Sequence, residues 1–440
     1  MFLGCRQNCP SLWPGRKNAK TVPAGKTPLP QGHGAVFTAD FFGVQLAETS
    51  GQDAEAAFAA AILAAGAEAM ATSSTSRSPD GDRPRGLAAL RSQIDAIDRD
   101  LVGLMNRRAE VAREIGHLKQ STGQQTYDPA REELVLGRVT ASNAGPLSDD
   151  CLKAVWRELI SGSRAIEQHL RVAHLGPAWT YSHLAALHRF GNSVDFVPVA
   201  SISAAFEEVN AGHSHFGVVP LENSTDGRIA DTLDNLSRLP VKICAEVPLR
   251  IHHNLLAACD RSAIREVYSR PQALSQCRNW LARHLPAARL VEVTSTAVAA
   301  ETAAKTPHAA AIASRQAGVH YGLDVLAENI EDVAGNTTRF AVIGHADAGR
   351  TGRDKTALMF EIEHKPGGLA DALAIPKRQK LNLTWIESFP LAGEERGYVF
   401  FVELEGHRAD LRVRRAIASL EKRCKRVVIL GSYALATPVG

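Results

Sequence analysis

Ten apolar residues, Leu90, Ile94, Ile97, Leu101, Leu104, Met105, Val111, Ala112, Ile115 and Leu118, follow one another largely at steps of three and four. That spacing predicts one amphipathic helix from Leu87 to about Lys119, roughly 50 Å long at ~1.5 Å per residue. A helix of this length cannot bury its apolar stripe by itself, and two more helical stretches follow it. Asp128-Pro129 reads as an N-cap with proline in the first turn, opening a helix through Arg131, Leu134 and Val139. A third helix is expected from about Ser148 to Leu170. Three helices, one much longer than the others, imply an all-α bundle that a second chain would complete.

The cations on the long helix carry a further constraint. Arg108 and Lys119 are eleven residues apart and share a face, whereas Arg91 points about 100° away from Arg108. If all three serve one kind of anion, Arg91 must reach the site of a second protomer, which predicts an interlocked homodimer. The competing reading, favoured by periodicity alone, is of ordinary surface charges on snorkelling stems.

With 440 residues and 45% hydrophobic content, the chain exceeds what one core supports and should form about three domains. Residues 1–86 differ from the rest. The first 39 carry Arg6, Arg16, Lys17, Lys20 and Lys26 without an acid and are broken by five prolines, so they should be largely disordered. Met70 is a plausible start, and Ser73 to Gly86 reads as a linker. A transit peptide is the alternative, against which the prolines count. The Ala-rich run from Ala54 to Ala71 is too short in its apolar part to span a bilayer. The net charge of +3 and the interspersed charges argue against nucleic acid or a membrane as partner. Seven scattered cysteines fit a reducing cytoplasm.

From Arg171 to Ala346, short apolar runs alternate with helical stretches: Val172–Leu175, 194–199, Phe216–Val219, 243–247, 267–268, 290–293, 309–313 and 340–343. This predicts an α/β unit with mostly parallel strands, in one sheet or two lobes around a cleft. Its central stretch is Val218 to Gly227, where Pro220 should stop the strand ladder and present Glu222, Asn223, Ser224 and Thr225 at the strand end. In open α/β sheets, ligands bind there. From Thr356 to Tyr433 the expected order is βαββαβ, a ferredoxin-like α+β unit, with Pro376 inside its first helix at a cost of about 3 kcal/mol or an early helix end. His252-His253 and the His213/His215 pair lack a third ligand, so no metal is expected. Gly367-Gly368 lacks the lysine and serine of a phosphate loop, and no cofactor is expected.

Three sets of residues carry resemblances. Leu90-Arg91, Ile94-Asp95, Asp98, Arg108, Glu110, Gly116, Lys119, Asp128, Arg131-Glu132, Ser163 and Glu167 resemble the all-helical chorismate mutase domain at the start of bacterial bifunctional enzymes. The resemblance implies that Arg91 from the partner, Arg108 and Arg131 bind carboxylates, and that Lys119 and a protonated Glu167 meet the ether oxygen. Glu132 would hold the ring hydroxyl, and Asp128 and Ser163 would complete the pocket. Leu175-Gly176-Pro177, Thr180 to His183, Val218 to Gly227, Tyr268-Ser269, Pro271-Gln272, Ser295-Thr296, Tyr321 to Leu323 and Asn336 to Phe340 resemble prephenate dehydratase. A two-lobed domain similar to periplasmic binding proteins is implied, with Thr338 assisting departure of the ring hydroxyl. Ser182, Glu222, Asn223, Ser224, Thr225, Gln272 and Phe340 would surround the substrate, and Arg339 would attract a carboxylate. Trp179 stands where that family has glycine and is expected to narrow the site, and Arg270 stands in place of a common histidine.

Lys365 to Leu369 and Asn382 to Ser388 resemble the ACT regulatory domain, which implies phenylalanine binding by Gly367, Gly368, Leu369, Glu387 and Ser388; Phe389 replaces an arginine of the usual block. The expected protein is therefore a cytoplasmic homodimer with chorismate and prephenate as substrates and L-phenylalanine as effector. Its expected domains are 87–170, 171–346 and 356–433. The alternatives are a mutase carrying an inactive dehydratase domain, or a non-catalytic sensor of aromatic acids and amino acids.

Overall fold

The computed structural model describes residues 86–122, 127–225, 227–390 and 397–439. The disorder, the alternative start at Met70, the transit-peptide alternative and most of the linker expected before Gly86 lie outside the described residues.

Three helices open the described chain: α1 (Leu87–Ser121), α2 (Pro129–Ala141) and α3 (Asp149–Glu167). Local chemistry sets two of their starts. Asp128 accepts the Arg131 backbone N–H at 3.0 Å, and Ser148 accepts that of Cys151 at 3.2 Å, each satisfying a donor that the first turn leaves free. The apolar stripe of α1 stays in solvent: Leu90, Ile94, Ile97, Leu101, Leu104, Val111 and Leu118 are all exposed.

An α/β unit follows: β1 (Arg171–Leu175), α4 (Tyr181–Phe190), β2 (Asp195–Val199), α5 (Ile202–Asn210), β3 (Phe216–Asn223), β4 (Gly227–Arg228), α6 (Ala230–Arg238) and β5 (Lys242–Arg250). Next come β6 (Asn254–Ala257), β7 (Glu266–Ser269), α7 (Pro271–Gln276), α8 (Arg278–His284), β8 (Arg289–Glu292), α9 (Thr296–Lys305), β9 (Ala309–Ala313), α10 (Arg315–Tyr321), β10 (Asp324–Ala327) and β11 (Thr337–Gly344). Two sheets result, ordered β2-β1-β3-β11-β5 and β10-β6-β9-β7-β8, with β4 paired to β3. The expectation of mostly parallel strands is corrected to mixed sheets. β1 runs parallel to β2 and β3, and β7 to β8 and β9, but β11 lies antiparallel between β3 and β5, and β6 lies antiparallel to β9. The chain leaves the first sheet after β5, builds the second, and returns as β11.

Pro220 does not end its strand. β3 continues to Asn223, with Pro220 opposite Phe340 and a register shift between Arg339 and Phe340. The bulge accommodates a position that cannot donate to the ladder, and the Pro220 carbonyl accepts from Thr232 Oγ1 at 2.6 Å.

The last unit contains β12 (Asp354–Ile362), α11 (Gly368–Arg378), β13 (Leu383–Pro390), β14 (Tyr398–Glu405), α12 (Leu411–Glu421) and β15 (Arg426–Ala434) in one antiparallel sheet ordered β13-β14-β12-β15. The βαββαβ order is the expected one. α11 runs only two residues past Pro376, whose carbonyl accepts from Leu381 N at 3.0 Å in the closing turn. This sheet shares a core with the first α/β sheet: Phe206, Val219, Leu233, Ile243 and Ile343 are buried together with Met359, Phe401, Leu430 and Tyr433. The backbones meet at Gly431, φ +151°, where a Cβ would lie 2.0 Å from the Ile243 carbonyl oxygen, so no side chain is tolerated.

Candidate functional site

The helical unit gathers a charged cluster between α1, α2 and α3. Arg108 Nη1 donates to Ser163 Oγ at 2.9 Å, and burial lowers the guanidinium's pKa. Glu132 lies 3.3 Å from Nε of the buried Arg164. Burial raises the Glu132 carboxyl above the ordinary range, while Arg164, Arg189 and Lys119 oppose the rise. Burial also raises Glu167, against Lys119 and Arg164. Lys119 thus acts electrostatically on both carboxyls. Gly116 gives Glu167 its place, because a Cβ at Gly116 would come within 2.7 Å of Glu167 Cγ. Asp128 is occupied as the α2 cap, and Arg91 and Arg131 are exposed.

Arg164 is absent from the expected set, having nothing in its spacing to separate it from a surface cation. Its Nη2 donates to the Phe190 carbonyl at 2.6 Å, and its guanidinium lies 5.3 Å from the Tyr127 ring centre and 5.6 Å from that of Phe190. Arg189 Nε donates to Tyr127 Oη at 2.7 Å. The helical cluster is therefore braced directly against α4 of the α/β unit.

Between the two α/β sheets lies a cleft of about 820 Å³. Thr338, buried on β11, is its centre: Asn223 Nδ2 donates to Thr338 Oγ1 at 2.7 Å and to Asn336 Oδ1 at 3.1 Å. A threonine hydroxyl that accepts one hydrogen bond can still donate its own proton. Thr225 donates to Asn223 Oδ1 from its backbone N at 3.0 Å and from its Oγ1 at 2.5 Å, and Ser224 Oγ accepts from Thr337 N at 3.0 Å, so these two residues shape the turn that carries Asn223. Ser182 in the first turn of α4, Gln272 in that of α7, and Phe340 also line the cleft. Three residues outside the expected site set join them. Gln276 Nε2 donates to Thr225 Oγ1 at 2.8 Å, and Gln276 Oε1 accepts from Asn336 Nδ2 at 3.1 Å and from His253 Nε2 at 2.9 Å. Burial lowers the His253 pKa, which favours the neutral ring. Gln276 was legible as the residue one helical turn beyond Gln272; His253 carried no such signal.

In the C-terminal unit, Gly367, Gly368 and Leu369 line a pocket of about 320 Å³ with Ile362, Lys365 and Tyr398. Glu387 and Ser388 lie on the edge strand β13 and do not line it. Among the described residues, no group of three His, Cys, Asp or Glu side chains could hold a metal, and no helix is long and apolar enough to cross a membrane.

The family of prephenate dehydratases matches residues 172–348, and that of type II chorismate mutases matches residues 90–168. The bifunctional chorismate mutase/prephenate dehydratase of Aquifex aeolicus is 39% identical over 352 residues, spanning 79% of this chain and 97% of that protein. This chain belongs to the bifunctional chorismate mutase/prephenate dehydratases. Among solved structures, the prephenate dehydratase of Arthrobacter aurescens in complex with L-Phe has TM-score 0.57 and 32% identity, covering 62% of this chain and 92% of that one. GqqA, described as a novel type of quorum-quenching acylase, has TM-score 0.56 and 27% identity, covering 60% and 98%.

Within this bifunctional family member, three expectations for the dehydratase site change. Glu222 and Arg339 do not face the cleft. Each neighbours a cleft residue on its strand, Asn223 and Thr338, and successive strand side chains point to opposite faces. Arg339 Nη1 instead donates to Glu222 Oε2 at 2.9 Å on the far side. Trp179 adopts the left-handed backbone, φ 66°, that glycine would take freely, but its ring does not narrow the cleft. It stacks on His320 at 4.7 Å, outside. The Trp179 backbone N–H donates to His183 Nδ1 at 3.0 Å; burial, with His174 and His320 nearby, pushes the His183 pKa down to about 4. Arg270 does lie at the cleft, where its Nε donates to Gln272 Oε1 at 2.9 Å.

Proposed function

We propose that this chain rearranges chorismate to prephenate in the helical cluster and converts prephenate to phenylpyruvate in the cleft, under feedback by L-phenylalanine. The observation that carries the reading is the Thr338 hydroxyl, held at 2.7 Å by Asn223 inside a cleft large enough for a small aromatic precursor. In the rearrangement one C–O bond breaks as one C–C bond forms, with no nucleophile and no external proton. What the reaction needs is a clamped dianion and donors at the breaking ether oxygen. In this reading Arg108 holds a carboxylate, Lys119 and protonated Glu167 meet the ether oxygen, and Glu132 holds the ring hydroxyl. Dehydration needs a donor to the departing ring hydroxyl while carbon dioxide leaves, and the positioned Thr338 proton serves it. Ser182, Gln272, Gln276 and the neutral His253 supply polar contacts around the ring.

The active enzyme in this reading is a cytoplasmic homodimer. The exposed stripe of α1 is the face that a second copy would cover, and Arg91 on the same helix would enter the partner's mutase site. The C-terminal sheet is read as an ACT unit, with L-phenylalanine in the pocket of Gly367, Gly368 and Leu369.

The test is to incubate purified protein with prephenate and follow phenylpyruvate, with and without L-phenylalanine, in parallel with Thr338→Ala. Turnover that the variant loses, and that phenylalanine suppresses, supports the reading. Conversion of chorismate without phenylpyruvate formation would leave a mutase carrying a ligand-binding cleft.

A further inference from the structure

The residue next to Thr338 is tied to a different part of the molecule. Arg339 Nη2 donates to Glu246 Oε2 on β5 at 3.0 Å and to Glu403 Oε1 on β14 at 2.6 Å, while Nη1 holds Glu222 on β3. The Glu403 side chain is fully buried and that of Glu246 nearly so. All four strands of the C-terminal sheet converge on this point. Tyr433 Oη of β15 donates to Glu403 Oε1 at 2.8 Å, Thr384 Oγ1 of β13 lies 3.4 Å from Glu403 Oε2, and Lys355 Nζ of β12 bonds Glu246 at 3.1 Å. A buried cluster of this kind is weak evidence for stability, since well-packed apolar side chains serve that end as well or better. Its best-attested use is to fix register.

Register is what this place in the fold requires. The shift between β11 and β3 falls between Arg339 and Phe340, with the Arg339–Glu222 pair between it and the pairing of Thr338 with Asn223. A bulge leaves the aim of neighbouring side chains to be set by something else. Here the Arg339 guanidinium, one residue from Thr338, is held by β3, β5 and the C-terminal sheet together.

We propose that Arg339 is a positioning residue for the dehydratase reaction and that Glu403 is the contact through which the C-terminal sheet sets the aim of Thr338. This rests on the reading of the cleft as the dehydratase site and of the C-terminal sheet as its effector-binding unit. A displacement of β14 when effector binds then reaches the threonine through one guanidinium, without any contact between effector and cleft.

The experiment uses the full chain with Glu403→Gln, which keeps the shape and removes the charge, and Arg339→Lys, which keeps the cation and loses the fork. Prephenate turnover, its response to L-phenylalanine and chorismate turnover are measured on each. The expected result for Glu403→Gln is a fall in kcat for phenylpyruvate of about 10- to 100-fold, the scale of a misplacement near 1 Å. KM for prephenate should stay within about twofold, inhibition by L-phenylalanine should be lost from the residual activity, and chorismate turnover should be unchanged. Arg339→Lys should show the same loss of kcat and of inhibition. Unchanged kcat and inhibition in Glu403→Gln would overturn the proposal. So would parallel loss of both activities with a lowered melting temperature in both variants, which is what a purely structural cluster gives. If Glu403→Gln alone does not fold, Tyr433→Phe, which removes one neutral donor to the same carboxylate, must show the same kcat-selective effect. Absence of phenylpyruvate from the unaltered chain would instead refute the dehydratase reading itself, a result distinct from either.

Discussion

Replacing Glu167 by Gln should abolish the pH dependence of chorismate turnover. Glu167 is packed on Gly116 of α1, and burial holds its carboxyl above the ordinary range even though Lys119 and Arg164 pull the other way. As a donor to the breaking ether oxygen it works only when protonated. A raised pKa keeps it protonated to higher pH than a free glutamate, and activity should then fall as pH rises, about tenfold per unit. The fall has a floor. What deprotonation removes is one hydrogen bond to an oxygen that becomes anionic, about 1.5–3 kcal/mol, which is about 10- to 150-fold at 1.36 kcal/mol per decade. Beyond that the rate should level off on Lys119 alone. A glutamine amide donates at every pH, so Glu167→Gln should give a flat profile at or near the acid plateau. The assay is loss of chorismate absorbance under saturating and limiting substrate across the pH range. An alkaline fall that survives in the Gln variant would refute the reasoning, as would a flat profile in the unaltered protein.

Three further outcomes follow from the same geometry. Gly116→Ala would bring a Cβ to 2.7 Å from Glu167 Cγ, so that carboxyl must move; chorismate turnover should fall more than about tenfold while phenylpyruvate formation from prephenate is retained. Trp179→Gly relieves a left-handed backbone worth about 1–2 kcal/mol and loses a ring stack worth about 0.5–1.5 kcal/mol; thermal denaturation should show little change, and dehydratase turnover should persist because the ring lies outside the cleft. Leu101→Asp places a charge in the exposed α1 stripe; light scattering should report monomer, and chorismate turnover should drop as Arg91 is withdrawn from the partner's site.

Most of the fold was legible because its signals are local. Asp128-Pro129 and Ser148 mark helix starts through side-chain caps that need no tertiary partner. The β9 run, Ala309–Ala313, is buried throughout and reads as an interior strand. β6 and β10 lie outside the expected runs, since neither Asn254–Ala257 nor Asp324–Ala327 shows a clear period. Strand direction was illegible for a different reason. The return of β11 between β3 and β5 is set by where the second sheet hands the chain back, and nothing in Thr337 to Gly344 encodes that. The sides taken by Glu222 and Arg339 do follow from the sequence once β3 continues past Pro220. Treating Pro220 as the end of its strand turned Glu222 and Asn223 into loop residues, free to point the same way. Had β3 been allowed to continue past the proline through a bulge, the period of two would have put Asn223 and Glu222 on opposite faces. Thr338 and Arg339 would have been separated by the same rule. One member of each pair would then face substrate, leaving a glutamate and an arginine to meet behind the sheet, where the partners they need must come from another unit.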